Sequence, residues 1–418
     1  IKSGKVSLDI APQASKEFTV PVNGLKSQPG TEYFVNFSVT TVEPEPLIPA
    51  GYEIAYDQFQ LPIQAEKRIY KANGPALTTA TSGDELTVSS SKVNFVFNKK
   101  SGLVTSYKVD GTEYFKDGFG IQPNFWRAPN DNDYGNGAPK RLQVWKQSSK
   151  NFHVTDVKMT TENKVVSLKA TYLLAAGNLY VVTYRIYPSG IVNVSAQFTS
   201  TDMQAAETEV SEATRMATFT PGSDAARKAA SKLEVPRIGV RFRLPAQMNN
   251  VQYFGRGPEE NYIDRNHGTL VGVYKTTADK MYFNYVRPQE NGHHTDTRWL
   301  TLNKKGGKGL TIYADKTIGF NALRNSVEDF DGEETVSRPY QWLNRDAGEL
   351  VHDESKAKDQ LPRKTHINDI TPRNFVEVCV DMKQQGVAGY NSWGARPEPG
   401  YNIPANQEYK WGFTIVPR

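Results

Sequence analysis

The sequence has 418 residues, 38% hydrophobic, 23% charged and 11% aromatic, which is too apolar for a disordered chain and long enough for two or three domains. Fifty basic against 45 acidic residues leave a formal charge of +5 with Lys and Arg scattered, so a nucleic-acid partner is not expected. No apolar run approaches the roughly 18 residues that span a bilayer, and the single cysteine, Cys379, excludes an internal disulfide and a multi-cysteine metal site.

Residue 1 is Ile and not a start methionine, so the chain is expected to be either processed or one piece of a longer polypeptide. From there the dominant period is two. Val6, Leu8 and Ile10 alternate with polar residues, and so do Tyr33, Val35, Phe37 and Val39. Further on come Val93-Phe95-Phe97, Tyr180-Val182-Tyr184-Ile186 and, after the turn Pro188-Ser189-Gly190, Val192-Val194-Ala196-Phe198. Such runs predict half-buried strands of antiparallel sheets. Asp110-Gly111 between two short apolar runs predicts a tight hairpin. Amphipathic helices are almost absent, the best being Asp224 to Leu233. The fold class is therefore all-β.

A polar, small-residue stretch between Gln64 and Glu85 predicts a linker, placed at 66–84. Residues 1–65 suit a small immunoglobulin-like sandwich of about seven short strands, and 85–418 suit one large β-sandwich. The charged stretch Ser326 to Lys364 reads as a surface insertion. Cys379 falls in a predicted strand, Phe375 to Asp381, and reads as a buried hydrophobe.

Three segments mix aromatics with Arg, Asn and carboxylates in loops rich in Gly and Pro. They are Pro123 to Asp133, Tyr253 to Tyr262 with Asp264-Arg265, and Tyr285 to His294 with Asp296, Arg298 and Trp299. Flat rings suit the C–H face of a pyranose, and planar bidentate groups suit its hydroxyls; Arg–carboxylate pairs that fix loops would use the same residues. The candidates for sugar contact or loop structure are Arg256, Glu259, Asn261, Glu290, Asn291, His293 and Arg298. Near the C-terminus Trp393 stands among glycines in a loop, a recognition signal, whereas Trp126, Trp299 and Trp411 read as core. A metal site at His293, His294 and Asp296 is disfavoured, because adjacent histidines of a strand point to opposite faces. The run Asn130 to Asp133 offers oxygens for a hard cation but lacks EF-hand spacing. Glycoside cleavage needs two carboxyl groups across one bond. Glu259, Glu260, Asp264 and Glu290 are candidates that sequence alone cannot pair.

Together these segments resemble the C-terminal portion of family 2 glycoside hydrolases of the large β-galactosidase type. The strings are Asn124-Phe125-Trp126-Arg127-Ala128-Pro129 with Asn132-Asp133, Gly255-Arg256-Gly257-Pro258-Glu259-Glu260-Asn261-Tyr262 with Asp264-Arg265, Pro288-Gln289-Glu290-Asn291-Gly292 with Thr297-Arg298-Trp299, and Ser392-Trp393-Gly394. Residues 1 to about 65, with Val6 to Pro12, resemble the β-sandwich that precedes this module. The resemblance implies a galactose-mutarotase-like super-sandwich over 85–418, with the acid/base and nucleophile glutamates on a (β/α)8 barrel earlier in the polypeptide. It implies no catalytic residue, no metal and no cofactor in this chain, divalent or monovalent cations being a matter for the full-length enzyme. Trp393 matches the tryptophan that forms an aromatic platform for the sugar. Partners implied are the upstream domains, a galactoside and a homo-oligomer, with neither nucleic acid nor membrane. Ala388 replaces a usual Gly, and the Met216 to Ser231 and Ser326 to Lys364 stretches depart from the family pattern. Two other readings stand beside this one. The first is a free-standing aldose 1-epimerase using Glu290 with His293, His294 or His267; the second is a carbohydrate-binding module. A lone cysteine fits a bacterial cytoplasm or periplasm equally.

Overall fold

The structure, a computed structural model, describes residues 3–7, 9–63, 68–200, 234–331, 366–391 and 394–418. The chain divides into two units, Ile1–Tyr70 and Lys71–Arg418. The amphipathic stretch Asp224 to Leu233 and the stretch Met216 to Ser231 lie outside the described residues, as does most of the Ser326 to Lys364 insertion.

In the first unit the alternation of Val35, Phe37 and Val39 puts them on one face of β1 (Phe34–Thr40), which pairs antiparallel with β2 (Glu53–Gln60). Phe37 meets Phe59 edge-on with ring centroids 5.9 Å apart. Where about seven short strands were expected, the described residues form these two. Val6 and Ile10 alternate as a strand would, yet they lie exposed and outside any ladder. Alternation marks a strand only where a neighbouring edge is there to pair.

The second unit holds the core. A five-stranded sheet runs in sequence order through β3 (Thr78–Ser82), β4 (Glu85–Ser89), β5 (Val93–Asn98), β6 (Leu103–Val109) and β7 (Thr112–Glu113). β3 falls inside the stretch expected to be linker. It is an exposed edge strand of Thr, Ala and Ser, so it has no apolar stripe to betray it. Between β6 and β7, Asp110 (φ 47°) and Gly111 (φ 73°) both adopt the left-handed region, the turn that matches strand twist.

A larger sheet of twelve strands, counted among the described residues, begins with β8 (Gln122–Asn124), β9 (His153–Glu162), β10 (Val165–Leu173), β11 (Leu179–Ile186) and β12 (Val192–Thr199). It continues with β13 (Arg237–Pro245), β14 (Asn250–Gly257), β15 (Leu270–Thr277) and β16 (His294–Asn303). β17 (Gly309–Leu323), β18 (Phe375–Gln384) and β19 (Tyr409–Pro417) complete it. The main order is β15-β14-β16-β17-β19-β12-β11-β10-β9, with β18 joining β17 to β13 and β13 joining β8. The alternating residues Tyr180, Val182, Tyr184 and Ile186 of β11 are all buried. Phe95 and Phe97 of β5 meet Tyr184 at 5.7 and 6.1 Å, and the Tyr107 hydroxyl donates to Gly190 O at 2.6 Å, so the small sheet closes over the large one. Each such aromatic contributes about 1.5–3 kcal/mol through burial.

Three short helices lie between β8 and β9: α1 (Asp131–Gly135), α2 (Ala138–Arg141) and α3 (Gln143–Ser148). They correct the expectation of almost no helix in this stretch. The signal is a capping box, in which Asn130 Oδ1 accepts from Asp133 N at 2.9 Å and Asp133 Oδ2 accepts from Asn130 N at 3.0 Å. Helices this short stand by packing, here through the fully buried Trp145. A second correction concerns Ser326 to Asp331, read as exposed insertion. It forms a capped helical turn, Val327–Phe330, and carboxylates in and just after the turn meet buried or half-buried cations: Glu328 pairs with Arg241 at 2.8 Å and Asp331 with Lys146 at 2.7 Å. These charges are buried because each has a partner.

Candidate functional site

β13 has two faces of different chemistry. Ile238, Val240, Phe242 and Leu244 point into the apolar core, and Arg237, Arg241 and Arg243 point the other way beside Gly239. On β18, Val376, Val378 and Val380 alternate likewise with Glu377, Cys379 and Asp381. The result is a buried charged layer. Arg237, with no exposed surface, lies 3.0 Å from Glu290 Oε1 and 3.3 Å from Asp381 Oδ2, and donates to Asn321 Oδ1 at 3.1 Å and to Gln384. Arg243 pairs with Glu377 at 2.7 Å.

Asp381 sits between glycines of both neighbouring strands, Gly239 and Gly319. A Cβ on Gly239 would fall 2.1 Å from its Oδ1, so glycine there makes room for the carboxyl group. Among the described residues neither Asp381 oxygen accepts a hydrogen bond. Burial pushes its carboxyl up to about 7, with Arg237 pulling it back and Glu290 adding to the rise. His293 is buried too. Its Nδ1 lies 2.9 Å from Asn321 Oδ1, and burial, helped by the Arg237 charge, pushes the imidazole down to about 3. Cys379 is buried as expected of a hydrophobe, and burial pushes its thiol up. The cavity beside Arg237, Glu290, Asn291 and Asn321 measures about 20 Å³, the size of a water site; small-molecule sites run to about 300 Å³ or more.

The remaining candidates fall outside this layer. Asn261 is fully buried; its Nδ2 donates to Arg256 O and Glu259 O at 3.1 and 3.0 Å, and its Oδ1 accepts from Thr295 N and Oγ1 at 2.9 and 2.6 Å. Asn291 Nδ2 donates to Gln289 O at 2.9 Å. Arg256 pairs with Asp296 at 2.6 Å, and the half-buried Arg298 places its guanidinium 5.5 Å from the Phe254 ring centre. Glu259 is exposed, whereas Glu260 accepts from Gly292 N at 2.7 Å, from Arg265 at 3.0 Å and from the Tyr285 hydroxyl. Arg287 reaches Asp131 at 3.2 Å and lies 3.9 Å from the Tyr134 ring centre. The three segments thus meet at one end of the sandwich.

The first two of them hold the loop that follows β18. Gly386 N donates to Tyr401 O at 3.0 Å, and Gly386 O accepts from Arg127 at 3.3 Å. Val387 N and Ala388 N donate to the two oxygens of Asp264 at 3.0 and 2.7 Å. Val387 O accepts from Asn130 Nδ2 at 3.0 Å. The Asn132 amide, turned to suit both neighbours, accepts from Gly389 N at 3.1 Å and donates to Asn391 O at 2.9 Å. On the return side Arg396 pairs with Glu234 at 2.6 Å; Glu234 also binds Arg141, and on the departing side Gln385 Nε2 donates to it at 2.8 Å. Burial, with Arg396 nearby, lowers Arg141 to about 9, still charged at neutral pH. Trp393, the candidate sugar contact, and Ser392 lie outside the described residues.

Comparison with known proteins decides the family. A model described as "Beta galactosidase small chain" matches residues 89–415, and one described as "Beta-galactosidase, domain 4" matches residues 1–62. The chain belongs to the beta-galactosidase small chain family. Within that family it is 31% identical over 98% of its length to a beta-galactosidase of Priestia megaterium, and 25% identical over its whole length to one of Streptococcus thermophilus. It spans about a third of each, 34% in both cases. Among solved structures, a galactose mutarotase related enzyme from Lactobacillus acidophilus aligns over 80% of this chain and 97% of its own at 10% identity and a TM-score of 0.38. The nearly all-β architecture of this small-chain member rests on its own strands.

Proposed function

We propose that this chain is the C-terminal, non-catalytic segment of a β-galactosidase that hydrolyses terminal β-D-galactosides. It supplies structural support, and one aromatic sugar contact from Trp393, to an active site on a barrel domain outside this chain. The observation that carries the reading is the loop after β18. From Gly386 to Asn391 its backbone is bound by side chains of two separate segments, Arg127, Asn130 and Asn132 from one and Asp264 from the other, which is far more fixing than a connecting loop needs. Arg256 and Arg298 serve the architecture of the loops in this reading, as do the buried Asn261, Asn291, Glu290 and His293. Upstream domains of the same polypeptide are the partners. A homo-oligomer, and cations bound in the full-length enzyme, belong to the same proposal. Among the described residues no cluster of three His, Cys, Asp or Glu side chains is arranged to hold a metal. No helix among them is long and apolar enough to cross a membrane.

The epimerase reading is less favoured on one observation. Epimerisation needs a free base and acid flanking an anomeric carbon. Glu290 is instead bound by Arg237 and Asn321 at 3.0 Å each, beside a cavity of about 20 Å³. The purified 418-residue chain should neither hydrolyse an aryl β-D-galactoside nor speed the mutarotation of α-D-galactose followed by optical rotation. Hydrolysis would overturn the non-catalytic assignment, accelerated mutarotation would restore the epimerase, and saturable galactoside binding by calorimetry would favour a binding module.

A further inference from the structure

We propose that Asp264 is a positioning residue for the sugar-facing loop: its carboxylate fixes the path by which the chain leaves β18, and so sets substrate affinity without touching substrate. The inference rests on the reading that this loop serves the sugar.

Three observations support it. First, both carboxylate oxygens are used on successive backbone amides, Val387 N at 3.0 Å and Ala388 N at 2.7 Å. Consecutive amides converge on one anion only where the backbone turns sharply, and Ala388 does so with φ at 57°, in the left-handed region that alanine occupies at a cost. Asp264 is thus the anion in a nest, and its charge offsets the strain of the residue that makes the nest. Second, the fit is close. A Cβ on Gly386 would fall 2.5 Å from Asp264 Oδ2, so this residue is glycine because the carboxylate stands against it. Third, Asp264 lies 123 and 124 residues from its two partners, in the loop after β14, so the pair ties two distant parts of the chain together. Glu234 ties the two ends of the loop, accepting from Gln385 where it leaves β18 and pairing with Arg396 where it returns.

The test is a double-mutant cycle in the enzyme expressed from its complete gene, with a nitrophenyl β-D-galactoside as probe. Asp264→Asn keeps the size and loses one acceptor and the charge; it should raise KM about fivefold with kcat per folded enzyme nearly unchanged. Asp264→Glu, which keeps the carboxylate, should recover part of the loss. In a Trp393→Ala background Asp264→Asn should have no further effect on KM, because it acts through the same loop. In the 418-residue chain alone, Asp264→Asn should speed hydrogen exchange at the amides of Val387 and Ala388. Full additivity of the two substitutions, or a KM unmoved by Asp264→Asn, would overturn the inference. If Trp393→Ala itself leaves KM unchanged, it is the sugar-contact reading that fails, while the exchange result still reports on the clasp.

Discussion

Two regions of this molecule are built from the same groups and put them to different use. In the buried layer, Arg237 of β13 has no exposed surface and faces Asp381 of the neighbouring β18 and Glu290 of the loop before β16. Around the loop after β18, Asp264, Asn130 and Asn132 hold backbone amides and carbonyls, and Arg127, itself paired with Asp133 at 2.7 Å, donates to Gly386 O. A charge locked against charge in a sheet has nowhere to transmit a displacement, so its loss appears as lost stability. A side chain locked against a loop backbone controls where that loop goes, so its loss appears as altered affinity. Burial and partner type, more than the chemistry of the groups, decide which output a polar cluster has.

The largest effect should come from the layer. Arg237→Met leaves Glu290, and Asp381 where it is ionised, buried without a cation and should cost about 3–5 kcal/mol at pH 7, measured by urea unfolding. A loss below about 1 kcal/mol would mean that water reaches the layer and that the two regions do not differ as described.

Asp381 sharpens the contrast through pH. Its carboxyl is raised to about 7 in the folded state by burial, against about 3.9 when unfolded. The folded protein therefore holds a proton that the unfolded chain releases. The contribution is fully present below about pH 4 and is lost as pH rises through 7. Asp381→Asn should flatten this fall across pH 4 to 7, by an amount of the order of 1–3 kcal/mol. A stability profile identical to the parent's would show that Asp381 is ionised and paired with Arg237.

The smallest effect belongs to the loop. Ala388→Gly relieves a left-handed alanine worth about 1 kcal/mol but adds unfolded-state entropy of similar size, so Tm should move by no more than about 2 °C. A large destabilisation would show that the Ala388 methyl group packs in a way the nest geometry does not require.

Much of the sheet architecture was legible in the sequence because its period is two. β5, β11 and β12 follow their alternating residues one for one. The loop braces were half legible: the segments stood out, yet the partners of Asp264 lie more than a hundred residues further on, beyond any local pattern. β13 hid its role in plain view. Arg237, Arg241 and Arg243 stand at period-two positions with no local sign of burial, and only the pairing of β18 across from them, with Glu377 and Asp381, makes that face an interior. The short helices α1 to α3 escaped because they are too brief to show a 3.6-residue period and depend on the packing of Trp145.

In the proposed function the loop after β18 serves a sugar bound by a domain outside this chain. The most direct measurement is KM for nitrophenyl β-D-galactoside in the complete enzyme with and without Trp393→Ala, at matched folded concentration. The expected result is a KM raised about tenfold, with thermal stability within about 1 °C of the parent. Unchanged KM and kcat would contradict it.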